Sequence, residues 1–556
     1  MTASSEPVRK PSLLDATCED FVYDMAELVP TLGTELGLEG LDGELQDYSP
    51  DFWEAVADRM RDLVQDIEAL NDSTDDSDDE DDFDDVDRLT AAVVRDRMTR
   101  ELDLHHRGEW LRSLNVIASP LQSIRDSFSL MPNSTPEELD AIASRLSKVR
   151  GALRGYAESL AEAAQVCHVA SHRQIDAVIN QAEALAEVGS QLEDLGVDPE
   201  SAVVQDAKDA FAEFADWLST ELSTQATHED SVGRDRYELF AGQFLGRDID
   251  LDEAYDWAKE QLTETIDEQA QLAAALYGPG TSVLSAYRQL NEDPRYQLRG
   301  TDALLEWMNG VNERALEELA GTDLTVPSDL RKVQCAVDPA GSGGIFYTPP
   351  SDDMLRPGTM WWSVPRGQEV FHTWQELTTV FHEGLPGHHL QIGTALSQRR
   401  SLNLLRRNMF NSGHGEGWAL YAEHLMAEHG YFEDPGFRMG LLDSRRLRLA
   451  RVLVDIGVHL KKTTPDGSGV WDAQYAKAFL RDNCAMPEAQ LAFELDRYLG
   501  WPGQAPSYAL GFRDWLNLRD KALRHGMSVK RFHDKALRLG AMPMDMLACE
   551  VLNHGV

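Results

Sequence analysis

The chain is 556 residues long, with 42% hydrophobic and 26% charged residues, so it can bury a large core and is expected to fold as two or more lobes. Its formal net charge of −45 argues against binding to nucleic acid or to anionic membranes. We find no apolar leader near the N-terminus, no run of about 18 apolar residues, and no CxxC spacing among the five cysteines. These features predict a cytoplasmic protein with reduced thiols, and they leave its oligomeric state open.

The first 230 residues are predicted to form a helical lobe. Apolar residues recur at helical spacing in two stripes, Val56-Met60-Leu63-Ile67 and Ile142-Leu146-Leu153. Between the stripes, residues 71–88 read NDSTDDSDDEDDFDDVDR, and eleven acidic side chains in this run repel one another while offering almost nothing to bury. We therefore expect a mobile acidic loop at residues 71–88.

The second lobe, residues 231–556, is predicted to carry a small sheet within a mainly α fold. A turn-rich run at 338–344 is followed by two β-prone segments, IFYTPP and RPGTMWWSVP. Helical spacing returns at Thr373, which fits a capping box with Glu376, and it continues to the C-terminus apart from a break at 500–507. The sheet is therefore expected beside the helix that begins at Thr373.

That helix contains the run FHEGLPGHHLQ, in which His382 and Glu383 lie well inside the predicted helix. In the HExxH arrangement, two histidines one turn apart bind one zinc ion and the intervening Glu polarises a water. Here the expected position of the second histidine is Pro386, and histidines follow at 388 and 389. In a straight helix neither would face the same ion as His382, so we predict a bulge at Leu385-Pro386.

The bulge favours His388 as the second ligand, because absorbing two residues restores a one-turn separation from His382. His389 then becomes a residue that supports the site or contacts substrate, although the choice between the two histidines stays open. Glu416 in GHGEGWALYAE is the predicted third ligand, where flanking glycines allow a close approach to the metal. Glu423, seven positions later on the same helical face, is predicted to orient a ligand histidine.

These ligands predict one Zn²⁺ per chain, although the same set accepts other divalent ions. The motifs also carry a resemblance to a known family. They occur in order as an Arg-Pro-Gly segment, HExxPGHHLQ, ExGWALYxE, DRYxxxPGQAxxY and FHDxxLxxGxxP, which stand here at 356–358, 382–391, 416–423, 496–508 and 532–543. The chain resembles the bacterial family called domain of unknown function 885 and, more distantly, the gluzincin metallopeptidases.

The resemblance implies a zincin-like helical fold, a cleft between two lobes and peptidase activity. Tyr508, within the PGQAxxY motif, is the implied donor to the oxyanion, followed by Arg497 and Tyr498. Arg497 is also a candidate for binding a substrate carboxylate, with an ion pair to Glu494 or Asp496 on the helix surface as the alternative. Residues 360–364 are implied to form an edge strand that pairs with a peptide substrate. The two tryptophans in that segment have core packing as their alternative explanation.

The predicted function is a zinc-dependent hydrolase, with a peptide bond as the favoured substrate. Glu383 is predicted to act as general base toward a metal-activated water and then to protonate the leaving amine. A zinc amidase or esterase acting on small substrates is the alternative, since the same groups would serve it. A binding protein that has kept the fold without activity is a third, less favoured hypothesis, because Glu383 and all candidate ligands are present.

Overall fold

The computed structural model describes residues 9–75, 83–338, 344–365 and 367–553, which are mainly helical with two small sheets, as the sequence predicts. Contacts divide the chain into two compact units. The first comprises the described part of Met1–Ser231 with Arg400–Leu405 and Leu499–Trp501, and the second comprises the described parts of Val232–Arg399, Arg406–Tyr498 and Pro502–Val556. Every predicted site residue lies in the second unit.

The first unit is built from amphipathic helices. They are α1 (Leu13–Leu28), α2 (Pro30–Leu36), α3 (Pro50–Asp75), α4 (Asp85–His106), α5 (Pro120–Asp126), α6 (Pro136–Leu146), α7 (Val149–Gln165), α8 (His172–Ala186) and α9 (Ala202–Trp217). The predicted apolar stripes point inward, with Ile67, Leu146 and Leu153 at most 2% exposed. Burial of these stripes is the main reason that such helices are stable.

Helical residues occupy both ends of the predicted loop at 71–88. Helix α3 continues to Asp75, and α4 begins at Asp85, while residues 76–82 lie outside the described residues. The Asp84 carboxylate accepts from the Asp87 amide at 2.8 Å and from the Arg9 Nε at 2.6 Å. Acidic residues at a helix N-terminus cap free amides and complement the helix dipole, so this part of the acidic run supports a helix instead of opposing one.

The second unit contains helices α10 to α23, although a few residues of α16 and α20 are counted in the first unit. They are α10 (Arg234–Leu245), α11 (Leu251–Tyr277), α12 (Val283–Glu292), α13 (Thr301–Leu319), α14 (Thr373–Glu383), α15 (His388–Leu396), α16 (Leu404–Asn408), α17 (Ser412–Glu428), α18 (Pro435–His459), α19 (Ala473–Asn483), α20 (Glu488–Gly500), α21 (Ser507–Arg524), α22 (Val529–Arg538) and α23 (Met544–Asn553). Helix α14 packs against α17 and α18, and α17 packs against α21. The predicted break at 500–507 is present between α20 and α21.

Helix α14 begins at Thr373 as expected, but without the predicted capping box. His372 occupies the N-cap position, and its side chain makes no capping hydrogen bond. Thr373 is therefore the first helical residue, one position too late for its hydroxyl to cap the helix. Among the described residues, no helix combines the length and the apolar character that crossing a membrane requires.

The second unit also contains five short strands in two sheets. They are β1 (Gln297–Arg299), β2 (Gln334–Asp338), β3 (Ile345–Thr348), β4 (Thr359–Ser363) and β5 (Val370–His372). Strand β1 pairs with β5, which leads directly into α14, and the other sheet has the order β2-β4-β3. The prediction of an edge strand at 360–364 is therefore wrong, because β4 pairs with parallel β2 on one side and antiparallel β3 on the other. Its Trp362 side chain is 2% exposed and belongs to the core.

Candidate metal centre

The predicted bulge at Pro386 is a complete interruption between two helices. Helix α14 ends at Glu383 and α15 starts at His388, with a cis peptide bond joining Leu385 to Pro386. The prediction of a distortion is confirmed, whereas the prediction of one continuous helix with a bulge is wrong. A proline cannot donate the backbone hydrogen bond that a helix needs, and the chain here separates into two helices instead of absorbing extra residues.

Two distant side chains satisfy backbone groups of this interruption. The Leu385 amide donates to Asn312 Oδ1 at 2.8 Å, and the Trp418 indole Nε1 donates to the Pro386 carbonyl at 2.9 Å. Buried backbone groups without such partners are costly, so these two contacts help to fix the path of the chain between the helices. Trp418 belongs to the same motif as Glu416, which links the two motifs physically.

Glycine is required at both ends of the interruption. A Cβ atom at Gly387 would lie 1.9 Å from the His382 carbonyl oxygen and 2.3 Å from that of Phe381. A Cβ atom at Gly384 would lie 2.2 Å from Asn312 Oδ1. The backbone of Gly387 therefore lies directly against the last turn of α14, which brings His388 back toward His382.

The interruption places His388, and not His389, beside His382. The rings of His382 and His388 have their centroids 4.9 Å apart and are nearly perpendicular, at 89°. Glu416 Oε2 lies 3.3 Å from His382 Nε2 and 3.4 Å from His388 Nε2. One donor atom from each of these three residues falls within 4.8 Å of the others.

The separations of these donors suit a small tetrahedral metal ion. Zinc binds histidine nitrogen and carboxylate oxygen at about 2.0–2.1 Å, which in a tetrahedron places two donors about 3.3–3.4 Å apart. Both separations from Glu416 have this value. Two imidazoles and one carboxylate also form a ligand set that is typical of catalytic zinc, in which a further position remains for water or substrate. The residues present therefore fit the predicted ion.

His389 has both ring nitrogens engaged elsewhere. Its Nε2 donates to the Leu330 carbonyl at 3.0 Å, because a carbonyl can only accept, and its Nδ1 accepts from the Tyr347 hydroxyl at 2.9 Å. Burial lowers the pKa of His389 to about 4, so the ring is neutral, as this pattern requires. The side chain ties α15 to β3. A Cβ at Gly358, in the Arg-Pro-Gly segment, would occupy the position of the Tyr347 hydroxyl, at 1.9 Å.

Glu423 orients His382, as the sequence analysis anticipates for a ligand histidine. Its Oε1 accepts from His382 Nδ1 at 2.9 Å, while its Oε2 accepts from the hydroxyls of Thr378 and, at 3.1 Å, Ser444. In the neutral form of His382 the proton therefore stays on Nδ1, and the lone pair of Nε2 faces Glu416 and is available to a metal. Carboxylate partners of this kind set the tautomer and raise the basicity of a ligand histidine.

The centre concentrates negative charge in a buried space. Burial disfavours the charged form of Glu416, yet the neighbouring His388 and His382 hold the pKa of Glu416 well below its usual range. Burial also lowers the pKa of His382, but hydrogen bonds to Glu416 and Glu423 outweigh it and raise this pKa to about 9. The carboxylates thus remain ionised and favour a positive charge between them, which a divalent cation can supply.

Glu383, the predicted general base, is the last residue of α14 and only 7% exposed. Burial raises the pKa of its carboxyl, and the charges of His382 and His388 offset part of this rise. A carboxyl whose pKa is shifted toward neutrality can accept a proton and later return it. Its position beside the two histidines and its protonation behaviour both suit the predicted role.

The three residues assigned to oxyanion or substrate binding are joined in one hydrogen-bond network, and they differ in their distance from the predicted ligands. The Tyr508 ring stacks on His382, with centroids 6.3 Å apart and 15° between the planes, and its hydroxyl oxygen accepts from Arg497 at 3.2 Å. Arg497 also donates to Glu494 at 3.1 Å, and the Tyr498 hydroxyl donates to the same carboxylate. Tyr498 is 0% exposed, and its role in oxyanion binding stays a prediction. Tyr508 alone lies against a predicted ligand.

Two arginines of α18 that were not among the predicted site residues adjoin this region. The guanidinium carbons of Arg448 and Arg451 lie 5.9 and 4.7 Å from the centroid of the Tyr508 ring. Their signal was present in the run RRLRLARVLVD, where arginines interrupt a helix that buries residues on every side. A buried arginine needs hydrogen-bonding partners or a ligand, whereas an exposed arginine can be solvated by water.

The glycines of the Glu416 motif allow close packing around α17. A Cβ at Gly417 would lie 2.4 Å from the carbonyl carbon of Gly511 in α21, and one at Gly415 would meet the ring of Phe410 at 2.4 Å. His533 of the last motif is likewise structural, since its two nitrogens bond to the Tyr421 hydroxyl and the Asp323 carbonyl. These motif positions hold α17 in place so that Glu416 reaches the histidines.

Comparisons with known proteins agree with this fold. The model of a family described as "Bacterial protein of unknown function (DUF885)" matches residues 30–551. No curated protein matches the chain. One solved structure, called a putative lipoprotein from Colwellia psychrerythraea, is similar with a TM-score of 0.82 and 21% identity, over 97% of this chain and 98% of that chain.

A second solved structure, called a putative lipoprotein of unknown function from Shewanella oneidensis, has a TM-score of 0.70 and 15% identity, over 97% of this chain and 99% of that chain. At these identities the two structures show a shared fold alone. The family match spans nearly the whole chain and includes every motif that carries the resemblance. The chain therefore belongs to the DUF885 family of bacterial proteins.

Proposed function

We propose that the protein is a zinc-dependent hydrolase, and specifically a metallopeptidase. The observation that carries the proposal is the meeting of His382 Nε2, His388 Nε2 and Glu416 Oε2 at separations suited to one tetrahedral ion, beside a buried carboxyl at Glu383. The order of a short strand, a His-Glu helix and a later helix bearing the third ligand also supports a zincin-like fold for this unit. We expect one zinc ion per chain.

Bound zinc supplies Lewis acidity, which polarises a substrate carbonyl and lowers the pKa of water. Within the chain, Glu383 accepts a proton from the attacking water and delivers it to the leaving nitrogen, for which its buried, raised-pKa carboxyl is suited. Glu423 keeps the proton of His382 on Nδ1 throughout. The Tyr508 hydroxyl accepts from Arg497 and so retains its own hydrogen, which it can donate to a developing oxyanion.

A peptide library provides the test. The zinc-loaded chain is incubated with peptides of mixed sequence and the products are identified by mass spectrometry, with Glu383→Gln as the matched control. We expect cleaved peptides from the wild-type protein and none from the variant. Turnover of small amides or esters without cleavage of any peptide would favour the alternative amidase or esterase, and absence of both activities would refute the hydrolase proposal.

A cytoplasmic location is part of the proposal. None of the five cysteines, all of which lie in described segments, forms a disulfide. Reduced thiols are typical of cytosolic proteins. The similar structures are called lipoproteins, so cell fractionation with an antibody against the chain is the appropriate test: recovery in the soluble fraction is expected, and recovery with membranes would contradict it.

A further inference from the structure

Three arginines surround the tyrosine that stacks on His382. The guanidinium carbons of Arg448, Arg451 and Arg497 lie 5.9, 4.7 and 5.8 Å from the centroid of the Tyr508 ring. Such a concentration of positive charge stands out in a chain whose net charge is −45. It lies near the metal centre, because the Tyr508 ring also stacks on His382.

The three arginines have few carboxylates in direct contact, although the charges of Glu383 and Glu423 act on Arg448 from a distance. Arg451 and Arg497 share a single carboxylate, Glu494, at 2.8 and 3.1 Å. Arg448 forms no ion pair or hydrogen bond with any described residue. Each of the three arginines also has one buried nitrogen without a hydrogen-bond partner in the described part of the chain: Nε of Arg448, Nη1 of Arg451 and Nε of Arg497.

Unsatisfied buried donors are uncommon in folded proteins and are a sign of a ligand or ordered water. The guanidinium group offers parallel N–H donors that match a carboxylate, and such charge-assisted pairs are strong in a partly buried setting. Arg448 is the residue best suited to this role, since Glu494 already occupies the other two. It is also only partly buried, so a ligand can reach it.

We propose that Arg448, together with Arg451, binds the C-terminal carboxylate of a peptide substrate, so that the enzyme removes short fragments from free C-termini. The inference rests on the proposed peptidase function and adds the substrate class to it. An extended peptide advances about 3.4 Å per residue. The Tyr508 ring separates Arg448 from His382, and this distance places the scissile bond about one to three residues from the C-terminus.

The reaction is an ordinary hydrolysis. Water adds its hydroxyl to the acyl carbon, the amide C–N bond breaks, and the leaving nitrogen takes the proton that Glu383 carries. The products are a peptide with a new C-terminal carboxylate and a fragment of one to three residues that keeps the original carboxylate at Arg448.

The test compares two peptides of the same sequence, both acetylated at the N-terminus, one ending in a free carboxylate and the other in an amide. We expect the zinc-loaded chain to shorten the acid from its C-terminus, with kcat/KM at least about 100-fold higher than for the amide. Arg448→Gln should abolish most of this preference, and Arg448→Lys should restore part of it. Arg438→Gln is the matched control on the same helix, since Arg438 pairs at the surface with Glu268 and should leave the ratio unchanged.

A binding measurement separates this inference from the peptidase proposal. The Glu383→Gln variant, loaded with zinc, is titrated with each peptide by calorimetry, and we expect tighter binding of the acid that depends on Arg448. Equal cleavage and binding of acid and amide, or cleavage at internal bonds, would overturn the inference and leave the peptidase proposal standing. Preferential binding of the acid without any cleavage would support the carboxylate site and refute the peptidase.

Discussion

Replacing Gly387 with alanine perturbs the metal centre through the backbone alone. The added Cβ would lie 1.9 Å from the His382 carbonyl oxygen, whereas real Cβ contacts are essentially never shorter than 3.0 Å. Both contact partners are backbone atoms of α14, so no flexible side chain can move aside. The backbone next to His388 must therefore shift by about 1.1 Å or more, several times the tolerance of about 0.2 Å that metal–ligand distances allow.

We expect Gly387→Ala to weaken zinc binding by about 100-fold or more, equivalent to about 2.7 kcal/mol, and to reduce the free energy of unfolding by about 1–3 kcal/mol. Competition with a fluorescent chelator measures the affinity, and urea unfolding measures the stability. Gly469→Ala is the control, because a Cβ at Gly469 meets nothing within 4 Å. Wild-type affinity and stability in Gly387→Ala would refute the account of the helix interruption.

Three further predictions concern the groups around the centre. Glu383→Gln should lose turnover while keeping about one zinc per chain, as measured by elemental mass spectrometry. Loss of zinc from this variant would contradict the role of Glu383 as a base. Glu423→Gln should weaken zinc binding by about 10- to 100-fold, because His382 loses its carboxylate partner, and unchanged affinity in the same chelator assay would contradict that role. Burial opposes ionisation of Glu494, but Arg451 and Arg497 lower its pKa from 4.5 to about 2. The ionised Glu494 carboxylate therefore contributes its full stabilisation above pH 4.5, and this contribution is lost as the pH falls toward 2. The difference in unfolding free energy between wild type and Glu494→Gln should accordingly narrow between pH 4.5 and pH 2 in denaturant titrations, and a constant difference would count against this assignment.

Much of the metal centre follows from local sequence. The missing backbone donor of Pro386 requires a distortion, and the flexibility of Gly387 permits one, which together favour His388. The spacing of seven residues between Glu416 and Glu423 places both on one helical face, so both reach His382. The choice of His388 and the shared face of Glu416 and Glu423 depend on residues within two helical turns of one another, and the need of the metal for a third ligand joins the two motifs.

Long-range contacts could not be predicted in this way. The groups that engage His389, the Leu330 carbonyl and the Tyr347 hydroxyl, lie 59 and 42 residues away in the sequence. The order of strands in a sheet cannot be read from the residues of each strand, and the edge position that the resemblance implies for β4 is wrong because β4 is central. Arg448 escaped notice because an arginine on a helix is usually exposed, and only packing on all sides of α18 changes that expectation.

The zinc content of paired histidine variants tests the central claim most directly. Wild type, His388→Gln and His389→Gln are purified in parallel, dialysed against metal-free buffer and analysed for zinc per chain, with circular dichroism to establish that each is folded. We expect about one zinc per chain in wild type and in His389→Gln, and little in His388→Gln. Retention of zinc by His388→Gln with loss from His389→Gln, or a folded wild-type protein that binds no divalent metal, would contradict the proposed centre.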